Sequence, residues 1–258
     1  MLRATCSIGA VLVLAAATLA PDARAAASAA SGSDVKPEPT AREVERAFEA
    51  RYRHASTLKA AFYERYSDGK GSGQAESGTV YFSRPGRMRW EYESPQKKLF
   101  IVDGTNVWFY IPDDHTASRT KLKQSSDWRT PIALLADKAD LGKICKNVEL
   151  VGPSKSEPRT GRAQSKDESG ASNDDAVLRC TPRGSSDETG EPISDVLLTI
   201  DPQGYLVRVL IRQPGDLTTE FRFGNWQENI QIAESQFHFQ PPPGVEIVDE
   251  DKLAGQVY

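Results

Sequence analysis

The stretch Gly78–Tyr110, GTVYFSRPGRMRWEYESPQKKLFIVDGTNVWFY, decides the fold. It reads as four short strands joined by tight turns. Tyr81–Arg84 stops at Pro85-Gly86, where proline pre-sets φ and glycine accepts a positive φ. Arg87–Glu93 then alternates: Met88, Trp90 and Tyr92 on one face, Arg87, Arg89, Glu91 and Glu93 on the other. That is a half-buried antiparallel strand, and Ser94-Pro95 ends it. Lys98–Val102 follows, Asp103-Gly104 signals a hairpin, and Asn106–Ile111 returns. Val107 and Phe109 fall on one side of that strand, Trp108 and Tyr110 on the other.

Upstream, Thr40 and Glu43 form a capping box, and a helix runs from there to about His54. Val44, Phe48, Tyr52 and Ala55 share one apolar stripe, so the helix must lie on something apolar. Leu58–Tyr66 reads as a first strand or, through Lys59-Ala60-Ala61, as more helix. Ser67–Gly73 is a flexible tip with no phosphate-loop continuation.

Downstream, Pro112–Asp114 turns into a strand at Thr116–Leu122. Asp113, Asp114 and His115 read as a solvated tip rather than a metal site. Thr130-Pro131 opens a short helix, with Ile132, Leu134 and Leu135 as contacts and Trp128 at its entrance. Asp140–Lys143 leads into a strand at Ile144–Val151, which a second at Ala176–Thr181 can neighbour. Between them Gly152–Asp175 is polar and nearly devoid of apolar residues, a long hairpin loop or disordered excursion. Ser185–Pro192 is a smaller polar loop. Three strands follow at Ile193–Ile200, Tyr205–Gln213 and Thr218–Asn225, with turns at Asp201–Gly204 and Gln213–Asp216. Tyr205, Val207, Val209 and Ile211 alternate with Leu206, Arg208, Leu210 and Arg212. Phe237 and Phe239 start a last pair of short segments, with Pro241–Pro243 between them and Val245–Val248 after. There is no internal repeat.

The net charge is −4 over 258 residues, which argues against a nucleic-acid footprint. Arg3, the apolar run Ile8–Ala20 and Ala23-Arg24-Ala25 read as an export signal with the mature chain starting at Ala26; the alternative is an uncleaved membrane anchor, for which the run is short of the roughly 20 residues a span needs. Residues 26–39 read as a disordered leader, and 40–250 as one domain carrying the 152–175 insertion. Cys6 precedes the apolar run and is misplaced for lipid attachment. Cys145 and Cys180 remain. If Val148 opposes Val177, Cys145 faces residue 180 and a disulfide can form; two buried thiols are the alternative. The three histidines, His54, His115 and His238, are scattered, no hydrolase or dinucleotide motif appears, and no cofactor is implied.

Arg84-Pro85, Trp90, Pro95, Asp103-Gly104, Trp108-Phe109-Tyr110, Thr130-Pro131 and Phe237–Pro242, in that order, resemble the signature of the LolA family of periplasmic outer-membrane lipoprotein carriers. The resemblance favours a strand at Leu58–Tyr66. Ten or so antiparallel strands and few helices leave two outcomes: side chains fill the inside of the sheet, or a cavity remains. The resemblance implies the second. It implies a mostly β (α+β) fold: a curved antiparallel sheet making an incomplete β-barrel of about 10–11 strands, lidded by two or three short helices. Arg84 matches the arginine that holds the lid, and Phe48, Tyr52, Met88, Trp90 and Tyr92 would line an apolar cavity. Met88 replaces a frequent aromatic and Tyr52 a frequent aliphatic residue; a thioether still suits an adaptable pocket. The implied partners are acylated lipoproteins, an inner-membrane ABC-type releasing complex and an outer-membrane acceptor, with the carrier a monomer. The competing readings are an enzyme, and a periplasmic carrier or sensor for another lipid or amphiphile.

Overall fold

The computed structural model describes residues 39–70, 73–122, 135, 139–153, 174–183 and 195–249. The expected export signal and most of the leader lie outside these residues. So do the Thr130-Pro131 helix start, Ser185–Pro192 and most of the Gly152–Asp175 insertion.

Helix α1 spans Ala41–Arg53, and both halves of the Thr40/Glu43 capping box are formed. Arg51 and Arg53 occupy the last turn, where a cation suits the negative end of the helix dipole. Val44, Phe48 and Tyr52 are its buried stripe.

Among the described residues, twelve strands make one open sheet. In chain order they are β1 Thr57–Ser67, β2 Gly73–Ser83, β3 Arg87–Ser94, β4 Lys98–Val102, β5 Asn106–Ile111, β6 Thr116–Lys121, β7 Cys145–Pro153, β8 Ala176–Pro182, β9 Asp195–Ile200, β10 Leu206–Arg212, β11 Thr218–Glu228 and β12 Glu246–Asp249. A four-residue helix α2, Leu141–Ile144, precedes β7. Strands β1–β6 run outward in one meander and β7–β11 return in another. The two join where β1 pairs with β11, and among the described residues β7 and β12 are the free edges.

All pairings are antiparallel except β12 with β6, which is parallel, so the expectation of a wholly antiparallel sheet is corrected there. Of the two short segments expected from Phe237 on, the second holds β12 and the first joins no ladder among the described residues. Glu234–Phe237 is a 3-10 turn, and the segment beyond it crosses the outer face of β3–β5. Prolines 241–243 carry no N–H and cannot join a ladder, so side chains fix this strap. Arg89 donates to the Gln236 carbonyl at 2.9 Å, and Phe239 lies 5.2 Å from both Trp108 and Tyr110. The strap explains why β5 is buried on both faces.

Bulges bend the sheet. One lies beside Gly78, where an added Cβ would sit 1.9 Å from the Glu91 carbonyl oxygen. Another, between Leu206 and Arg208, shifts β10 by one residue. Strict alternation put Leu206 on the face opposite Val209 and Ile211; the bulge instead buries all three.

Cys145 and Cys180 form a disulfide with Cα atoms 5.3 Å apart. The register differs from expectation: Val148 opposes Cys180, not Val177. A bulge between Cys145 and Asn147 lets the pair meet diagonally. The bond closes a 35-residue separation at the edge of the sheet. Replacing both cysteines by serine is expected to cost about 2–4 kcal/mol of unfolding free energy. Denaturant titration checks this, and reduced wild type should match the variant.

The Asp103-Gly104 hairpin is held by its carboxylate. Burial would raise the Asp103 pKa, but the N–H groups of Asn106 and Thr105 and the side chains of Trp108 and Asn106 donate to it and hold it below the ordinary value. A pKa depressed by folding stabilises above the unfolded pKa of about 3.9 and ceases to do so as pH falls through the folded value. Asp103→Asn should therefore melt below wild type at pH 7, with the gap closing under acid; a gap independent of pH would contradict this.

Candidate functional site

The side chains named for a cavity all lie on one face of the sheet under α1. Met88, Trp90 and Tyr92 point inward from β3 beside Phe82 and Val80 of β2 and Phe62 of β1, and each is buried. Phe48 and Tyr52 close the face from above, both fully buried. They pack on one another, rings 5.1 Å apart.

From α1 the aromatic rings run on without a break. Tyr52 meets Trp226 at 5.7 Å, Trp226 meets Phe223 at 5.6 Å, and Phe223 meets Trp90 at 6.2 Å. Trp90 meets Phe62 at 4.8 Å, and Phe62 meets Tyr92 at 5.0 Å. The path ends in charge. The Tyr92 hydroxyl donates to Glu64 at 2.8 Å, Glu76 lies directly across from Glu64 on β2, and Lys98 pairs with Glu76.

Two of the polar handles along this path converge on Leu206. Its N–H donates to the Tyr52 hydroxyl at 3.0 Å, and its carbonyl accepts from Trp226 Nε1 at 2.9 Å. Burial pushes the Tyr52 phenol well above its usual pKa, so it stays a neutral hydroxyl. Trp90 differs: its Nε1–H is buried with no acceptor among the described residues. An orphaned donor of this kind costs about 1–3 kcal/mol.

Arg84 sits at the end of β2 beneath the last turn of α1. Its guanidinium donates to the Tyr52 carbonyl and, at 3.3 Å, its Nε donates to the Leu135 carbonyl. Its own N–H is held by Ser56 O at 3.0 Å, which fixes the strand end under the helix. A cation there answers both the carbonyls left unpaired at a helix C-terminus and the dipole.

The helix is tied down elsewhere too. Arg51 pairs with Glu228 at 2.9 Å and stacks 3.9 Å over the Tyr205 ring. The turn before β10 comes so close that a Cβ on Gly204 would lie 2.8 Å from the Ala47 carbonyl oxygen.

Sequence reasoning had placed Arg84, Phe48, Tyr52, Met88, Trp90 and Tyr92, and the structure brings these together. It missed Phe62, Phe223 and Trp226, whose inward alternation was readable but whose partner strands were not. It missed the Glu64, Glu76 and Lys98 group altogether, because only the β1–β2, β2–β3 and β3–β4 registers together bring those residues to one place.

An open, bulged sheet with an aromatic inner face and the amphipathic helix α1 laid over it defines the class of incomplete β-barrels. Residues 53–158 match the family model described as outer membrane lipoprotein carrier protein LolA. An outer-membrane lipoprotein carrier protein of Nitrosospira multiformis is 28% identical over 200 residues, covering 76% of this chain and 84% of that one. Another, from Azotobacter vinelandii, is 38% identical over 97 residues, 37% of this chain and 45% of its own. A solved LolA superfamily protein from Nitrosomonas europaea aligns at 11% identity with a TM-score of 0.41, over 78% of this chain and 98% of that one. The resemblance read from the sequence therefore holds: the chain is similar to LolA-family carriers along three quarters of its length.

Gly204 and Gly215 both have positive φ, but a Cβ at Gly215 meets nothing within 4 Å. Alanine at either should cost about 1–2 kcal/mol of backbone strain. Only Gly204→Ala should also speed amide exchange in the last turns of α1. Equal exchange in the two variants would show that the close approach does not hold the helix.

Proposed function

We propose that this chain is a periplasmic carrier that shields the acyl chains of lipoproteins and moves them from the inner to the outer membrane. The observation that carries the reading is an aromatic inner face covered by the amphipathic helix α1, whose last turn is held by Arg84. The relatives named outer-membrane lipoprotein carrier protein support it. The partners of the reading are acylated lipoproteins, an inner-membrane ABC-type complex that loads them, and an outer-membrane acceptor. No bond-making step is needed.

Each methylene taken out of water is worth about 0.8 kcal/mol, so a lipidated N-terminus does not cross an aqueous space unaided. A carrier must cover those chains without holding them too tightly to release. In the form described, Phe48 and Tyr52 close on the inner face and the rings pack against one another. That is a closed form, with α1 down on the sheet. Cargo enters by displacing α1 and parting the rings, which breaks the Arg84 bonds to Tyr52 and Leu135. Those charge-assisted bonds stabilise the closed form alone, so they weaken loading and drive unloading.

The test is transfer of a lipoprotein from the loaded protein to acceptor membranes. Arg84→Leu should load cargo at least as fully as wild type and pass it on about tenfold or more slowly, the effect of losing one or two hydrogen bonds to a charged group. Transfer at the wild-type rate would sink the role of Arg84. Absence of acylated polypeptides from wild-type protein purified from its own periplasm would sink the carrier reading.

A further inference from the structure

The structure describes three tryptophans, and their indole N–H groups fare differently. Trp108 donates to Asp103 at 3.1 Å and Trp226 donates to the Leu206 carbonyl at 2.9 Å. Trp90 is fully buried, and its Nε1–H meets no acceptor among the described residues. Its ring neighbours are Phe62, Phe82, Phe221 and Phe223, none of which carries a lone pair to offer. A phenylalanine at 90 would fill most of the same space and leave nothing unpaired. A buried donor that no described residue satisfies asks for an acceptor that arrives from outside.

We propose that the Trp90 indole N–H is the hydrogen-bond donor for an acyl carbonyl of the bound lipid. This rests on the carrier reading and adds one polar contact to it. The ligand's chemistry supplies the acceptor: an ester-linked or amide-linked fatty chain has one carbonyl oxygen at the head of its hydrocarbon. The surroundings of Trp90 give the pose a direction. On the inner face of β3, Met88 lies one step toward α1, and Tyr92 lies one step toward Glu64, Glu76 and Lys98. Same-face neighbours on a strand are about 7 Å apart. With the carbonyl at Trp90, the hydrocarbon runs past Met88 under the helix. The polar head emerges at the charged end, where Tyr92, Glu64 and Lys98 can meet it.

The experiment compares two synthetic lipopeptides on the whole mature protein: one with a dipalmitoyl-glyceryl cysteine and its dihexadecyl ether analogue, which lacks the carbonyls. Wild type should bind the ester about two- to tenfold more tightly than the ether, the range for one neutral hydrogen bond. Trp90→Phe should bind both with the affinity wild type has for the ether, and unliganded it should melt no lower than wild type. An ester preference that survives in Trp90→Phe overturns the proposal, as does a wild type that binds ester and ether equally; in either case the carrier reading stands. A wild type that binds neither lipopeptide overturns both. Should Trp90→Phe fail to fold, the ester-to-ether ratio of wild type decides alone.

Discussion

The sheet depends on one pairing: β1 with β11. β1 leads a meander that runs to β6, and β11 closes one that began at β7. Without their ladder these would be two separate sheets, each with an apolar face it could not bury. With it, Phe62 of β1 faces Phe223 of β11 across the seam, and Trp90 of β3 packs on both. The pairing also closes a very long loop of chain, a contact that is slow to form and rewarded only once the rings have met. Asn229 locks the far end of the seam, taking a bond from Ser56 N–H at 2.8 Å and donating its own N–H to Thr57 O.

Over that seam lies a helix of only 13 residues. Its attachment mixes two kinds of contact. Phe48 and Tyr52 are held by burial, which has no preferred direction. The Tyr52 hydroxyl, the Tyr52 carbonyl, Arg51 and the close approach of Gly204 are directional, and they cluster toward the C-terminal half of the helix. A helix anchored at one end by polar contacts and elsewhere by apolar ones can swing without detaching.

Local chemistry made much of this legible in the sequence. The capping box set the start of α1, Asp103-Gly104 set a hairpin, and the alternation from Met88 to Tyr92 named three inward side chains. What escaped was what depends on pairing. A bulge moved Leu206 to the inner face, and a bulge beside Cys145 let the disulfide form in a register no alternation specifies. Phe237 and Phe239 were readable as a short segment but their partners were not: prolines deny the strap a ladder and aromatic packing holds it. Glu64, Glu76 and Lys98 lie on three different strands, so their meeting is a fact of register, and Gly204 gave no sign of the helix above it.

The free edges at β7 and β12 carry a consequence for capacity. A closed cylinder of strands has a circumference fixed by its strand number and shear. A sheet left open is under no such sum, and its two margins can draw apart or together by small changes of twist spread over many ladders. The curvature of the inner face is then not a dimension of the fold but a variable, and how much the sheet can enclose changes as its margins move.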